Sequence, residues 1–278
     1  MIKLLLISIN KNIYYVNLII LRIYCLTEYY SKLEENGYNK VIIPKYLINE
    51  LKREILEDIN HKFHPLKFKS FNLFGLFLKK LSNEIFIEKF GSNLSRILNA
   101  KTTKKINLWV EKNIPKKINS KKAALNIISS KEYRSNVNLK QNQFSAFYRV
   151  VRKNKKDVGH PHRDSSFWKL GNKRKTYFKH KIVWKLWIPI SGVKRQNSLN
   201  MIHASHKDNI KMQVISRNGQ KKPKISKEYI LKNANRVIKP IKFDGSEGVL
   251  FHKDTVHFAN INKSTDCRIS IEFNILAN

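Results

Sequence analysis

The stretch CRISIEFNI, residues 267–275, alternates by chemistry. Ile269, Ile271 and Phe273 stand at every second position, and Arg268 and Ser270 stand between them. In an extended strand, side chains two apart share a face, so one face is apolar while the other carries a guanidinium and a hydroxyl. An arginine on an exposed edge strand fits poorly inside such an apolar run. The pattern fits better with Arg268 facing an interior that needs a fixed positive charge. Arginine keeps its charge and offers a planar fork of donors matched to a carboxylate.

Other runs of strand length lie upstream: FSAFYRVVRK (144–153), KIVWKLWIPI (181–190), LNMI (199–202) and GVLFH (248–252). They are rich in β-branched and aromatic residues and are broken by turn residues. Several strands without intervening helices predict a sandwich or jelly roll. Residues 207–244 form a long basic stretch with little pattern, expected as an insertion at the mouth of the β region, where loops often meet substrate. Upstream of about 140 the texture is helical. Thr27 is an expected N-cap and Gly37 an expected end for a helix over 28–36, and KVIIP (40–44) reads as a short strand. Leu47, Leu51, Ile55 and Ile59 recur at helical spacing within residues 45–59. Residues 71–100 carry further helical signal.

The chemistry concentrates in VGHPHRDSSFW, residues 158–168, where His160, His162 and Asp164 fall within five positions. On a strand, His162 and Asp164 would point to one face. A further histidine, His257, follows GVLFH in a similar strand context. Two imidazoles and one carboxylate leave several coordination positions open, the donor set of a non-haem Fe(II) facial triad. His160 competes with His162, but only His162 has a carboxylate two positions on. Arg163, between them, points the other way on a regular strand and reads as structural. Phe167 and Trp168 could form a platform for a flat apolar face.

The bulk numbers frame this reading. The chain has 278 residues, a formal charge of +35 and only two cysteines. The excess is mostly lysine, and lysine rises with asparagine and isoleucine throughout, as an AT-rich coding sequence would produce. Basic clusters at 153–156, 172–175 and 219–224 are short and lack the interleaved aromatics of a base-stacking platform. Nucleic acid is therefore disfavoured as a partner. Cys25 and Cys267 cannot make a disulfide framework and fit a reducing cytoplasm. Residues 1–25 are apolar, but Lys3, Lys11 and Arg22 interrupt them, so no uncharged run reaches the roughly 18–20 residues of a membrane span. Three readings stay open for them: a packed element, an interfacial anchor, or a start site placed early, with Leu26 as the natural beginning.

The order His-x-Asp, KLWIPI, NSLNMIHASHK, then GSEGVLFHKDTVHFANINKSTDCRISIEF resembles the phytanoyl-CoA dioxygenase-like group of Fe(II)/2-oxoglutarate-dependent oxygenases. The likeness covers about residues 140–276 and the opening YYSKLEENGYNKVIIPKYLINELKREI; residues 62–140 have no counterpart. The wording around 149–168 looks most like the oxygenases of sporadic carbohydrate gene clusters. The resemblance implies an α+β fold: a cupin-like double-stranded β-helix, or jelly roll, over about 141–276. Helices from about 26–140 would pack on it, in a single domain spanning 26–278. It implies His162, Asp164 and His257 as iron ligands, with Fe(II), 2-oxoglutarate and O2 as the reacting set. Arg268, assisted by Ser270, would hold the distal carboxylate of 2-oxoglutarate. Trp187 would line the co-substrate pocket, plain core packing being its alternative. Arg149 or Arg152 would supply a further cation.

His203 and Ala204 stand where the group usually has Pro-Gly, which puts that turn in doubt, and His206 reads there as a turn residue. His252 reads as a barrel residue. Ser165, Ser166 and His160 are candidates to support the ligands. A carboxylate at 164 favours hydroxylation over halogenation. The implied activity is oxidation of a small polar metabolite, sugar- or carrier-linked. Two alternatives are a nucleic-acid demethylating oxygenase, disfavoured because RISIEFN lacks the second arginine of that class, and a cupin-like binding module without iron.

Overall fold

The computed structural model describes residues 28, 31–90, 95–114, 125–127, 145–154, 157–169, 182–217, 220–241, 245–264 and 266–277. The expectations for residues 1–25, Thr27, Cys25 and the 172–175 cluster lie outside them, as do parts of the other two basic clusters. Every strand-like run quoted above is a strand. The large sheet comprises β1 (Tyr38–Ile42), β2 (Ser95–Ile97), β3 (Leu125–Ile127), β4 (Ser145–Val151), β5 (Ile182–Ser191), β10 (Glu247–His252) and β12 (Arg268–Ala277). Its order is β1-β10-β5-β12-β4-β2, with β3 also on β12, and every pairing is antiparallel. A smaller sheet has the order β11 (His257–Ala259), β6 (Leu199–Ile202), β9 (Val237–Ile238).

The alternation in β12 decides what each face does. Ile269, Ile271, Phe273 and Ile275 are fully buried in the main core cluster. That cluster is completed by helices α1 (Lys45–Lys62), α2 (Phe71–Leu78), α3 (Asn83–Phe90) and α4 (Ala100–Asn113). α1 presents the predicted stripe of Leu47, Leu51, Ile55 and Ile59, each at most 1 % exposed. Burying one such side chain contributes about 1.5–3 kcal/mol. Ser70 accepts from the Leu73 amide at the start of α2, and Asn99 from the Thr102 amide at the start of α4, so both helices begin on capped amides. With the helices covering one face of the large sheet, its other face meets the small sheet. Trp187 and Val249 and Phe251 pack there against Leu199 and Met201.

The described residues within 207–244 carry more regular structure than their sequence pattern predicts. They hold a hairpin of β7 (Gln213–Arg217) and β8 (Gln220–Lys224), and a short helix over Lys227–Lys232 that Ser226 caps through the Tyr229 amide. The hairpin needs little apolar burial because its two strands satisfy each other's backbone. The Ile225 amide donates to the Pro161 carbonyl at 2.8 Å, which sets the segment beside the His162 loop. The helix over 31–36 ends as predicted. Gly37 sits at φ +79° and its amide reaches the Leu33 carbonyl at 2.9 Å. None of the described helices is long and apolar enough to cross a membrane.

Candidate metal centre

His162, Asp164 and His257 converge, each buried, with one ligand atom apiece lying within 4.8 Å of the others. The route differs from the strand expectation in one respect. His162 is extended and forms an isolated antiparallel bridge with His257. Asp164, however, is the first residue of helix α5 (Asp164–Lys169). The chain turns between them, so the carboxylate arrives by a helix start rather than by the pleat of a strand. The Ser165 amide donates to the Lys253 carbonyl at 3.2 Å and fastens that start to the loop after β10.

The protonation pattern suits a metal. His162 Nδ1 lies 2.6 Å from the His160 carbonyl, and His257 Nδ1 lies 3.0 Å from the Thr255 carbonyl. A carbonyl only accepts, so each Nδ1 carries the proton and each Nε2 keeps a free lone pair. Both Nε2 atoms face Asp164, at 3.9 Å from Oδ1 for His162 and 3.9 Å from Oδ2 for His257. Asp164 Oδ2 is buried with no hydrogen-bond partner. Burial, and next the neighbouring His257, push the His162 imidazole down to about 3, so it stays neutral and ready to ligate well below pH 7. Phe167 meets the His162 ring edge-on at 5.1 Å and Phe251 lies 4.8 Å from the His257 ring, which shields the imidazoles from water. The Trp168 side chain lies outside the described residues.

Arg268 and Ser270 face this interior. Their cross-strand neighbours on the same side include Val151, Arg149 and Pro189. Arg268 is 3 % exposed and donates from Nη1 to the Asn197 carbonyl at 2.6 Å. Its Nε and the Ser270 hydroxyl are buried and meet no hydrogen-bond partner. Burial, with Arg149 nearby, lowers the Arg268 guanidinium to about 10, still fully charged at neutral pH. Unsatisfied buried donors of this kind are rare and fit a polar ligand that supplies acceptors. Trp187 is 3 % exposed and packs in the inner apolar cluster with Val249 and Phe251.

The two candidate cations separate. Arg149 donates to Glu272 at 3.1 Å on the inner face. Arg152 is tied to Asp157 and Asn83 and lies over the Phe86 ring, away from the site. Arg163 is structural, as expected: it donates to the Ser205 and Asp208 carbonyls. His160 supports His162 through its backbone carbonyl, and Ser165 donates to Asp254 rather than to a ligand. His206 donates to the Glu34 carbonyl, and His252 packs edge-on against Trp184 on the outer face of the large sheet. Neither belongs to the cluster of close ligand atoms formed by His162, Asp164 and His257. Ala204 adopts φ +54°, so the turn keeps the left-handed backbone that the expected glycine would take without strain.

Sequence reasoning passed over Lys185 and Glu272. Lys185, inside KLWIPI, is 4 % exposed, with Nζ 3.1 Å from Glu272 Oε2 and 3.6 Å from Asp164 Oδ2. Burial alone would raise the Glu272 carboxyl, but Lys185 and Arg149 outweigh it and bring it down to about 2. The signal was present: a lysine between Trp184 and Trp187 on a strand, in register with the polar face of β12.

No family model matches the chain, and no curated protein matches it. Among solved structures, it is similar to EctD from S. alaskensis with bound Fe. That pair is 13% identical over 88% of this chain and 74% of that one, with a TM-score of 0.48. The same protein with 2-oxoglutarate and 5-hydroxyectoine gives 13% identity over 88% and 73%, with a TM-score of 0.49. EvdO2 from Micromonospora carbonacea var. aurantiaca complexed with 2-oxoglutarate gives 8% identity over 90% of each chain, with a TM-score of 0.48. At these identities the functional reading rests on the geometry of the site itself.

Proposed function

We propose that the chain is a non-haem Fe(II)- and 2-oxoglutarate-dependent dioxygenase acting on a small polar metabolite. The two sheets are read as the halves of a double-stranded β-helix within one domain over 26–278. The observation that carries the reading is the pair of imidazoles, each with Nδ1 spent on a carbonyl and Nε2 turned to the Asp164 carboxylate, whose Oδ2 is buried without a hydrogen-bond partner. Three protein ligands leave positions free for a chelating acid and oxygen.

His162, Asp164 and His257 would hold Fe(II), and Arg268 with Ser270 would take the distal carboxylate of 2-oxoglutarate. Bound there with O2, these groups supply oxidative decarboxylation coupled to oxidation of a substrate C–H bond. The chain's own work is positioning. The bridge between His162 and His257 fixes both rings on one face. The carbonyls of His160 and Thr255 hold the tautomers. Phe167 and Phe251 exclude water from the imidazoles. Trp187 would form the wall between the co-substrate and the inner cluster. The resemblance to oxygenases of carbohydrate clusters points to a sugar- or carrier-linked substrate of cell-surface carbohydrate biosynthesis, handled in the cytoplasm.

The test is anaerobic. Fe(II) and then 2-oxoglutarate are added to metal-free protein, and the visible charge-transfer band is recorded beside Asp164→Ala and Arg268→Ala. A band that needs both components and weakens in both variants supports the reading. Folded protein without a band overturns it and leaves a cupin-like binding module.

A further inference from the structure

The interior holds a second carboxylate that the three-ligand reading does not use. Glu272 stands two residues after Ser270 and four after Arg268, on the same face of β12. Its register partner is Trp187, and its side chain is only 13% exposed. Glu272 is not among the three residues whose ligand atoms lie within 4.8 Å of one another, but a divalent ion held by those three would draw in a second carboxylate nearby if it were free to swing toward the ion. Four protein ligands would then leave too few positions for a chelating 2-oxo acid together with oxygen.

Two cations hold Glu272 in place. Arg149 Nε lies 3.1 Å from Oε1, and Lys185 Nζ lies 3.1 Å from Oε2. Lys185 is the inner of the two, with its side chain 5% exposed against 50% for Arg149. The same ammonium is 3.6 Å from Asp164 Oδ2, so it lies between the two carboxylates. A buried ammonium so far from water is costly unless flanked by opposite charge. Its presence here therefore calls for a task, and its place between Asp164 and Glu272 supplies one.

We propose that Lys185 is a positioning residue that holds Glu272 out of the metal's coordination sphere and so keeps the centre open to 2-oxoglutarate. The inference rests on the oxygenase reading above. It makes Lys185 dispensable for co-substrate binding once Glu272 can no longer ligate.

The experiment uses the full chain loaded with Mn(II), or anaerobically with Fe(II), and reads binding rather than turnover. Mn(II) affinity is measured by the spin-resonance signal of free Mn(II), and 2-oxoglutarate affinity by calorimetry and the Fe(II) charge-transfer band. Circular dichroism establishes that each variant is folded. Lys185→Met is expected to bind Mn(II) at least as tightly as wild type while losing about tenfold or more in 2-oxoglutarate affinity, the scale on which outer-shell groups act. Glu272→Gln and the double variant Lys185→Met/Glu272→Gln are expected to bind both within about threefold of wild type, since no second carboxylate remains to compete. The comparison of the last two proteins stands even where Lys185→Met alone does not fold. A tenfold loss of 2-oxoglutarate affinity on adding Lys185→Met to Glu272→Gln would overturn the proposal, as would a folded Lys185→Met protein that binds 2-oxoglutarate like wild type. Wild-type protein that binds no metal would instead overturn the oxygenase reading, a result distinct from either.

Discussion

His162 and His257 are direct cross-strand partners. The His162 amide donates to the His257 carbonyl at 3.2 Å, the His257 amide returns the bond at 3.0 Å, and the ring centroids lie 4.5 Å apart. A hydrogen-bonded pair of this kind sends both side chains to one side. Two ligands far apart in the chain are therefore set by a single backbone contact. Substituting His257→Ala should leave the fold intact and lower Mn(II) affinity by about a hundredfold or more, since even outer-shell losses cost about 10–100-fold. Free Mn(II) measured by spin resonance checks this.

Acid should weaken the metal-free protein through His162. Its imidazole is held near 3 in the fold against 6.5 when free, chiefly by burial. Between those values the unfolded chain binds the proton and the folded chain does not. Stability from this group is thus complete above 6.5 and is lost as pH falls toward 3. The slope in that window is about 1.4 kcal/mol per pH unit. Denaturant melts of wild type and His162→Gln across this range should show wild type losing stability faster on acidification.

Two turn positions should respond with opposite signs. Gly37 sits at φ +79°, and an added Cβ would lie 2.4 Å from His206 Nδ1 and 2.7 Å from Thr255 Oγ1. Gly37→Ala is expected to cost about 2–3 kcal/mol, combining left-handed strain with a clash. Ala204 already occupies left-handed backbone at φ +54°. Ala204→Gly should relieve about 1–2 kcal/mol of that strain and return part of it as unfolded-chain entropy, for a net gain of about 0.5 kcal/mol. Thermal melts of the two variants check both signs.

Asn262 should matter to a ligand it does not touch. It is fully buried, donates to the Val151 and Asp266 carbonyls, and accepts from Asn197 Nδ2 at 3.0 Å. Asn197 in turn offers its carbonyl to Arg268. Asn262→Ala strands several buried groups and is expected to cost about 2–4 kcal/mol. It should also weaken 2-oxoglutarate binding by about tenfold while leaving Mn(II) affinity unchanged. Calorimetry on the Mn(II)-loaded variant separates the two effects.

Much of this site was legible because its signals are local. The spacing of Leu47, Leu51, Ile55 and Ile59 foretold the buried face of α1, and the alternation through Phe273 foretold both faces of β12. Gly37 marked a helix end because few other residues accept its backbone. The His-x-Asp spacing predicts Asp164 on a strand. The chain instead turns into a helix there, held by a bond from Ser165 to Lys253 that no local pattern encodes. Residues 207–244 read as unpatterned because a short hairpin satisfies its own backbone without an apolar stripe.

By itself, then, the sequence determined the main strands, the buried faces of α1 and β12, and a candidate set of His162, Asp164, His257 and Arg268. These follow from side-chain volume, periodicity and charge, which act over a few residues. The tertiary structure alone decided that His162 bridges to His257, that Arg149 rather than Arg152 pairs with Glu272, and that Lys185 lies between Asp164 and Glu272. Burial and strand register set those relationships. An ammonium on a strand looks like any surface lysine until folding buries it and the field of two carboxylates becomes its surroundings.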